Sequence, residues 1–356
     1  MSPFTLLADP DEYVASPWDL TTDAEGRGYW CDFFKRHLRT ILQLAREMTV
    51  ARAASLEDFE TRARACEGEF DGRIDNFWRH PTAFGYVGIL TLDEWRDSIL
   101  ARHGFEDPFL DLKNRENEKM LPLLAHIGAQ LDLIKDPPHR FRLAIEGVFA
   151  GNIFDMGAAA TAKAFMHESP DFLMVRSRLK PRPWLVDDYD TLALRVLNGP
   201  RYRKIVFFID NAGSDFLLGA LPLMNYFMQR DAQVVLAANE KPSLNDMTIH
   251  DVRAWWPRII KADQTFDTPQ LQLVSTGTGA PLIDLSRVSD ELNAAAEDAD
   301  LVILEGMGRG VESNFDATFR VDALNIAMLK DPAVAKRIGG QVFDLVCKFQ
   351  SPSTLA

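Results

Sequence analysis

From residue 200 onward, short apolar runs alternate with longer amphipathic stretches. The runs cover 204–209, 233–237, 271–274, 300–304 and 342–346. Helical patterns are predicted between them at 215–230, 248–259, 286–297 and 311–329. Strands that alternate with helices imply βαβ units and a mainly parallel sheet. Before residue 200 the period is helical. Phe33, Phe34, Leu38, Ile41, Leu42 and Leu44 share one face of a predicted helix over 29–53. Ser55 is placed to cap the next helix, with Asp58 in the box position. Further helices are predicted at 92–103, 114–133 and 140–166, separated by turn signals at Asp107-Pro108 and Asp136-Pro137-Pro138. The expected organisation is a helical region over 1–170, a proline- and acid-rich linker over 171–200, and an α/β domain over 201–356 that carries the chemistry.

The polar residues that end the apolar runs supply that chemistry. Ile205-Val206-Phe207-Phe208-Ile209 runs directly into Asp210-Asn211-Ala212-Gly213-Ser214. Ligands of open α/β sheets collect at the carboxyl ends of strands, and an Asp-Asn pair there is a set of hard oxygen donors for a divalent cation. The plain alternative is a turn, with Ser214 capping the following helix. The next run ends in the same way, at Asn239-Glu240-Lys241-Pro242-Ser243-Leu244-Asn245-Asp246. Asp246 offers a second carboxylate on the same edge, or else caps the helix that begins near Thr248. Ser275-Thr276-Gly277-Thr278-Gly279 could cradle an anion through its amides, or form a surface turn. Glu305-Gly306-Met307-Gly308-Arg309-Gly310 allows close backbone approach, with Arg309 free to clamp an oxyanion or paired to Glu305. Lys348 could reach a phosphate as a point charge or solvate the chain end.

Composition narrows the class. Lys and Arg number 39 against 52 Asp and Glu, a net charge of -13, and the basic footprint of a nucleic-acid binder is absent. The three cysteines, Cys31, Cys66 and Cys347, are far apart and form neither a CxxC zinc pattern nor a disulfide framework, which fits a reducing, cytoplasmic setting. No signal-peptide pattern opens the chain, and the longest nearly apolar window, 216–228, is too short for a membrane span and is broken by Pro222 and Asn225. Neither GxSxG nor HExxH nor a Walker A loop occurs, and Asp210-Asn211-Ala212 lacks the second Asp of an Asp-x-Asp phosphatase. Oligomeric state leaves no signature.

Together the segments IDNAGSDFLLGALPL, AANEKPSLNDMT, DADLVILEGMGRGVESN and FDLVCKFQ, with EDPFLDLKNRENEKML and GVFAGNIFDMGA upstream, resemble the DUF89 damage-control phosphatases. The branch that they resemble includes plant stand-alone proteins and the C-terminal domain of pantothenate kinase 4. The resemblance spans roughly 85–350. Ala212 stands where many relatives have Ser, and Gln350 where many have Asn. It implies an α/β domain with a helical N-terminal part, and a divalent metal (Mg, Mn, Co or Ni) on Asp210, Asn211 and Asp246. It also implies a phosphate-binding Lys348 and a supporting role for Asn152 and Asp155. The expected activity is hydrolysis of a small phosphorylated metabolite, with Asp210 and Lys348 as catalytic groups. The amides of Gly277 and Gly279, with Glu305 and Arg309, would hold the phosphate. The branch implies 4′-phosphopantetheine or its damaged forms. Sugar phosphates such as fructose 1-phosphate, methyl transfer from S-adenosylmethionine to protein carboxylates, and a catalytically silent regulatory module are the alternatives.

Overall fold

The computed structural model describes residues 1–153 and 172–352. Six helices come first: α1 (Ala24–Ala51), α2 (Leu56–Arg79), α3 (Ile89–Arg102), α4 (Leu110–Met120), α5 (Leu124–Leu133) and α6 (Pro137–Ile153). The cap predicted at Ser55 forms, and Asp23 caps α1 as well. Asp23 accepts from the Gly26 amide at the start of α1, and Ser55 accepts from the Asp58 amide at the start of α2. Residues 172–200, expected to be a linker, contain α7 (Phe172–Ser177), a short strand β1 (Val186–Asp187) and α8 (Tyr189–Asn198).

Six more strands follow: β2 (Lys204–Phe208), β3 (Gln233–Ala238), β4 (Leu271–Ser275), β5 (Leu301–Glu305), β6 (Asp322–Met328) and β7 (Leu345–Gln350). Helices α9 (Leu221–Met228), α10 (Ile249–Ala262), α11 (Asp290–Ala295) and α12 (Pro332–Arg337) lie between them. One seven-stranded sheet results, in the order β1-β7-β6-β5-β2-β3-β4, parallel except where β7 runs against β6. It is the mixed α/β fold that the strand–helix alternation predicts. The chain lays down β2, β3 and β4 to one side, then returns to place β5, β6 and β7 on the other. The order therefore reverses between β2 and β5, and the crevice at such a switch point is where open α/β sheets bind ligands.

The central strands read as continuous apolar runs because both faces are covered. Ile205, Phe207 and Ile209 pack into the core shared with α6 and α9, whereas Val206 and Phe208 face the core that contains Leu292 of α11 and Phe4 of the N-terminal segment. A third core joins α1, α2 and α3 to Leu282, Val311, Leu329 and Val334, which seats the N-terminal helices over the switch-point end of the sheet. Two expectations are corrected. The apolar stretch after 311 is not a helix over 311–329: it is a π-helical turn, Gly308–Ser313, followed by β6, a strand with every residue buried. The last strand begins three residues later than the run at 342–346 and ends at Gln350.

Candidate active site

The carboxyl ends of β2, β3 and β5 converge as their loops require. Asp210 and Asn211 follow β2 after Ile209. An isolated antiparallel bridge pairs Asn211 with Asp246, supported by bonds from the Met247 amide to the Asp210 carbonyl (3.0 Å) and from the Ala212 amide to the Asn245 carbonyl (2.9 Å). Asp246 is not spent as a cap. Thr248 caps α10 instead, in a reciprocal box with Asp251. Nor does Ser214 cap a helix: its hydroxyl donates to the Gly151 carbonyl. Asp210, Asn211 and Asp246 thus stand together, nearly buried, on the wall of a cavity of about 490 Å³.

Beneath Asp210 lies a second polar layer. The Asp210 amide donates to Glu305 Oε2 (2.9 Å). Asp215 Oδ2 accepts from Asn152 Nδ2 (2.8 Å) and Asn211 Nδ2 (2.9 Å). Carboxylate oxygens of Asp210, Asp215 and Glu305 lie within 4.8 Å of one another. Asp215 Oδ1 and Glu305 Oε1 are buried with no hydrogen-bond donor. Two carboxylates cannot satisfy each other when both are ionised. Burial, with Asp215 alongside, pushes the Glu305 carboxyl well above its ordinary range. Asp210 is also pushed well up, first by burial and then by Asp246, against the pull of Arg309.

This donor set fits a hard divalent cation. Two carboxylates and a carboxamide oxygen face the cavity, the layer below adds further acidic groups, and oxygens are left without donors. Asp210, Asn211 and Asp246 line the cavity. Asp215 and Glu305 lie behind them and orient them, as outer partners do around metal ligands.

Several expected site residues take other positions. Arg309 is not free for a substrate: its guanidinium bonds Asp210 Oδ1 and Asp246 Oδ2 (2.7 Å for the latter), bridging the two carboxylates. Glu305 supports the Asp210 backbone and does not line the cavity. Gly277 and Gly279 are also off the cavity wall. The Gly277 amide is taken by Ser275 Oγ (3.0 Å), and Gly279 packs against Lys241. Lys348 is displaced because β7 runs antiparallel: it pairs with Asn325 in the middle of β6, away from the carboxyl edge. Its ammonium sits over the Phe315 ring at 4.2 Å and donates to the Phe315 carbonyl. Asn152 supports Asp215, and Asp155 lies outside the described residues.

A cation that the sequence reading did not single out, Lys330, is on the cavity wall with Arg36 and Arg96; it is only 5% exposed, two residues past the end of β6. The signal was an apolar run, Ala323 to Leu329, ending in Lys330-Asp331-Pro332, the same strand-then-polar pattern as at Asp210. The remaining wall comes from the N-terminal helices. Tyr29, Trp30, Phe33, Phe34 and His37 of α1 line it, and the Tyr29 hydroxyl donates to Asp331 (2.6 Å). From α3 come Asp93 and Arg96, paired at 2.6 Å and fully buried. Arg96 also donates to Ser243 (3.1 Å), which steadies the loop that presents Asp246.

The chain's sequence matches a known group of proteins. The profile of the damage-control phosphatase ARMT1-like domain matches residues 40–346, and the chain belongs to that family. It is 39% identical to a damage-control phosphatase of Arabidopsis thaliana over 83% of this chain and 81% of that one. It is 35% identical to pantothenate kinase 2 of the same plant and 30% identical to 4′-phosphopantetheine phosphatase of Mus musculus. Both matches cover 98% of this chain but only 42% and 48% of those longer proteins. A crystal structure of a DUF89 protein from Pyrococcus horikoshii superposes with a TM-score of 0.62 at 20% identity, covering 90% of this chain and 96% of that one, and so shares the fold. Among the described residues no helix is long and apolar enough to cross a membrane.

Proposed function

We propose that the protein is a metal-dependent phosphatase of small phosphomonoesters, and that its substrate carries a chain of the 4′-phosphopantetheine kind. One observation carries the reading: Asp210, Asn211 and Asp246 line a cavity that Tyr29, Trp30, Phe33 and Phe34 also line. The names of the plant and mouse relatives support it.

A divalent ion held by those three side chains would supply Lewis-acid stabilisation of the phosphoryl oxygens and a water of lowered pKa. Arg309 and the Asn211 carboxamide hold the two Asp carboxylates at fixed angles, so little reorganisation is left for the reaction. Lys330 places a positive charge on the cavity wall for the phosphate. Tyr29, Phe33 and Phe34 bury the remainder of the substrate and exclude water from the polar end. An aromatic wall gains from an extended, partly apolar chain. A compact hydroxyl-rich sugar would leave it unfilled and its own hydroxyls short of partners.

The test is phosphate release across a panel of p-nitrophenyl phosphate, 4′-phosphopantetheine and fructose 1-phosphate, with Mg, Mn, Co or Ni. Metal-stimulated turnover of the first two is expected, and Asp210→Ala should abolish it. Turnover indifferent to a chelator, or unchanged in that variant, would overturn the reading. A preference for fructose 1-phosphate would keep the phosphatase and remove the substrate class.

A further inference from the structure

Hydrolysis of an alkyl phosphomonoester needs more than charge stabilisation at phosphorus. The departing alkoxide is a strong base, and a proton delivered to it in the transition state is worth roughly 10²–10⁴ in rate. Resting on the phosphatase reading, we propose that Glu312 is the general acid that protonates the leaving-group oxygen.

Glu312 belongs to the π-helical turn after β5 and lines the same cavity as Asp210, Asn211 and Asp246. The other acids on that wall are occupied. Asp93 is tied to Arg96 at 2.6 Å, Asp331 accepts from the Tyr29 hydroxyl and caps α12, and Asp210 and Asp246 are bridged by Arg309. Among the described residues no hydrogen bond or ion pair holds the Glu312 carboxyl, so it is free to turn towards a ligand. The charged groups that face it are Asp331 and Lys330 beyond β6, Asp93 on α3 and Asp210 at the end of β2. Tyr29 approaches it from α1. Burial, with Asp331 next in weight, raises the carboxyl well above its ordinary range, which favours the protonated form that a proton donor needs.

The step balances. The water oxygen bonds to phosphorus as the ester P–O bond breaks, and the Glu312 proton passes to the departing oxygen, releasing the alcohol. One water proton stays on the new P–OH group. The other rides on the phosphate and returns to the Glu312 carboxylate, leaving hydrogen phosphate and the acid ready for another turnover.

A proton donor matters in proportion to how poor the leaving group is, and this separates it from a structural residue. Glu312→Gln should lower kcat on a primary-alkyl phosphate about 10²–10³-fold, yet lower it on p-nitrophenyl phosphate less than about tenfold. The alkaline limb of the alkyl-phosphate pH profile should vanish with it, while Mn²⁺ binding by titration calorimetry stays as in the wild type. An equal loss on both substrates, or no loss, would overturn the assignment. In the wild type, substituted aryl phosphates should show a shallow dependence of kcat/KM on leaving-group pKa. A steep dependence would overturn the assignment even if the variant did not fold. A wild-type protein that releases phosphate from neither substrate would overturn the phosphatase reading itself, and this inference with it.

Discussion

Asp210 is held from four directions, and each contact has a separate consequence. Glu305 takes its amide, Asn211 and Arg309 take its carboxylate, and Gly306 leaves it room. Gly306 sits at φ +96°, where side chains are strained, and a Cβ there would collide with the Asp210 carboxyl. Gly306→Ala should therefore cost about 1–3 kcal/mol of stability by urea denaturation and weaken Mn²⁺ binding together with turnover. Loss of stability without loss of metal affinity would show that Asp210 is not constrained from that side. The two lysines give a sharper contrast. Lys330→Ala should lower kcat/KM on any phosphomonoester by roughly 10²-fold, the size of one lost electrostatic contact at a transition state. Lys348→Ala should change it by less than about threefold, since its ammonium is engaged with Phe315. Equal effects would return Lys348 to the site. Asp210 and Asn211 were legible because they end an apolar run, and Asp246 because it closes the polar loop after the next one. Lys330 follows its run in the same way, but that run was read as a helix, and the polar residue at its end lost its meaning.

At the scale of elements, β2, β3 and β5 were legible because strands buried on both faces are nearly unbroken in apolar residues. β6 has the same burial but is spelled Asp-Ala-Leu-Asn-Ile-Ala-Met, and Ala, Leu and Met are good helix formers. Its sheet neighbours decide its state, not its own propensity. Asn325 within it is buried and donates to the carbonyls of Gly310 and Asn314, so the strand also anchors the π-helical turn that carries Arg309 and Glu312. Helix α1 was legible as a helix but not as a wall of the site, since amphipathic spacing identifies a buried face without saying what it faces. Residues 29–37 precede the matched family domain, which begins at 40. α1 supplies the aromatic part of the cavity wall, so substrate choice can be tested there. Phe33, partly exposed to the cavity, can be trimmed without emptying a core position. Phe33→Ala should raise KM for 4′-phosphopantetheine about tenfold, equivalent to about 1.4 kcal/mol of lost apolar contact, with kcat on p-nitrophenyl phosphate within about twofold. A uniform fall on both substrates would mean that α1 positions the catalytic groups and does not select the chain.

Across the whole molecule, the N-terminal helices close over the switch point of the sheet and bury an excess of acid there. Asp93 is pushed up to about 7 by burial despite Arg96, and Asp210, Glu305 and Glu312 are pushed well above their ordinary range, again chiefly by burial. In the unfolded chain all four would titrate near 4. Between roughly pH 4 and 7 the folded protein therefore holds protons that the unfolded chain has released. The stability these groups contribute is complete below about pH 4, in the neutral form, and is lost as pH rises through the folded values. Asp93 alone would tilt the stability by about 1.4 kcal/mol per pH unit across the middle of that window. A bound divalent cation acts in the opposite sense. Held by Asp210, it would compete with that carboxyl's proton, so its affinity would rise with pH and it would stabilise the fold where the apo protein is weakest. The urea midpoint in a chelator should fall steadily from pH 5 to pH 8. Saturating Mn²⁺ should restore it, adding about 2.7 kcal/mol at a hundredfold excess over Kd at pH 8 and clearly less at pH 5. Asp93→Asn should flatten the chelator curve without removing the Mn²⁺ response, because Asp93 is not one of the three cavity-facing ligands. A midpoint that rises with pH in the absence of metal would mean that the buried acids are ionised in the fold and held by cations other than a metal. Arg309, Arg96 and Lys330 would then be the site's permanent counter-charge.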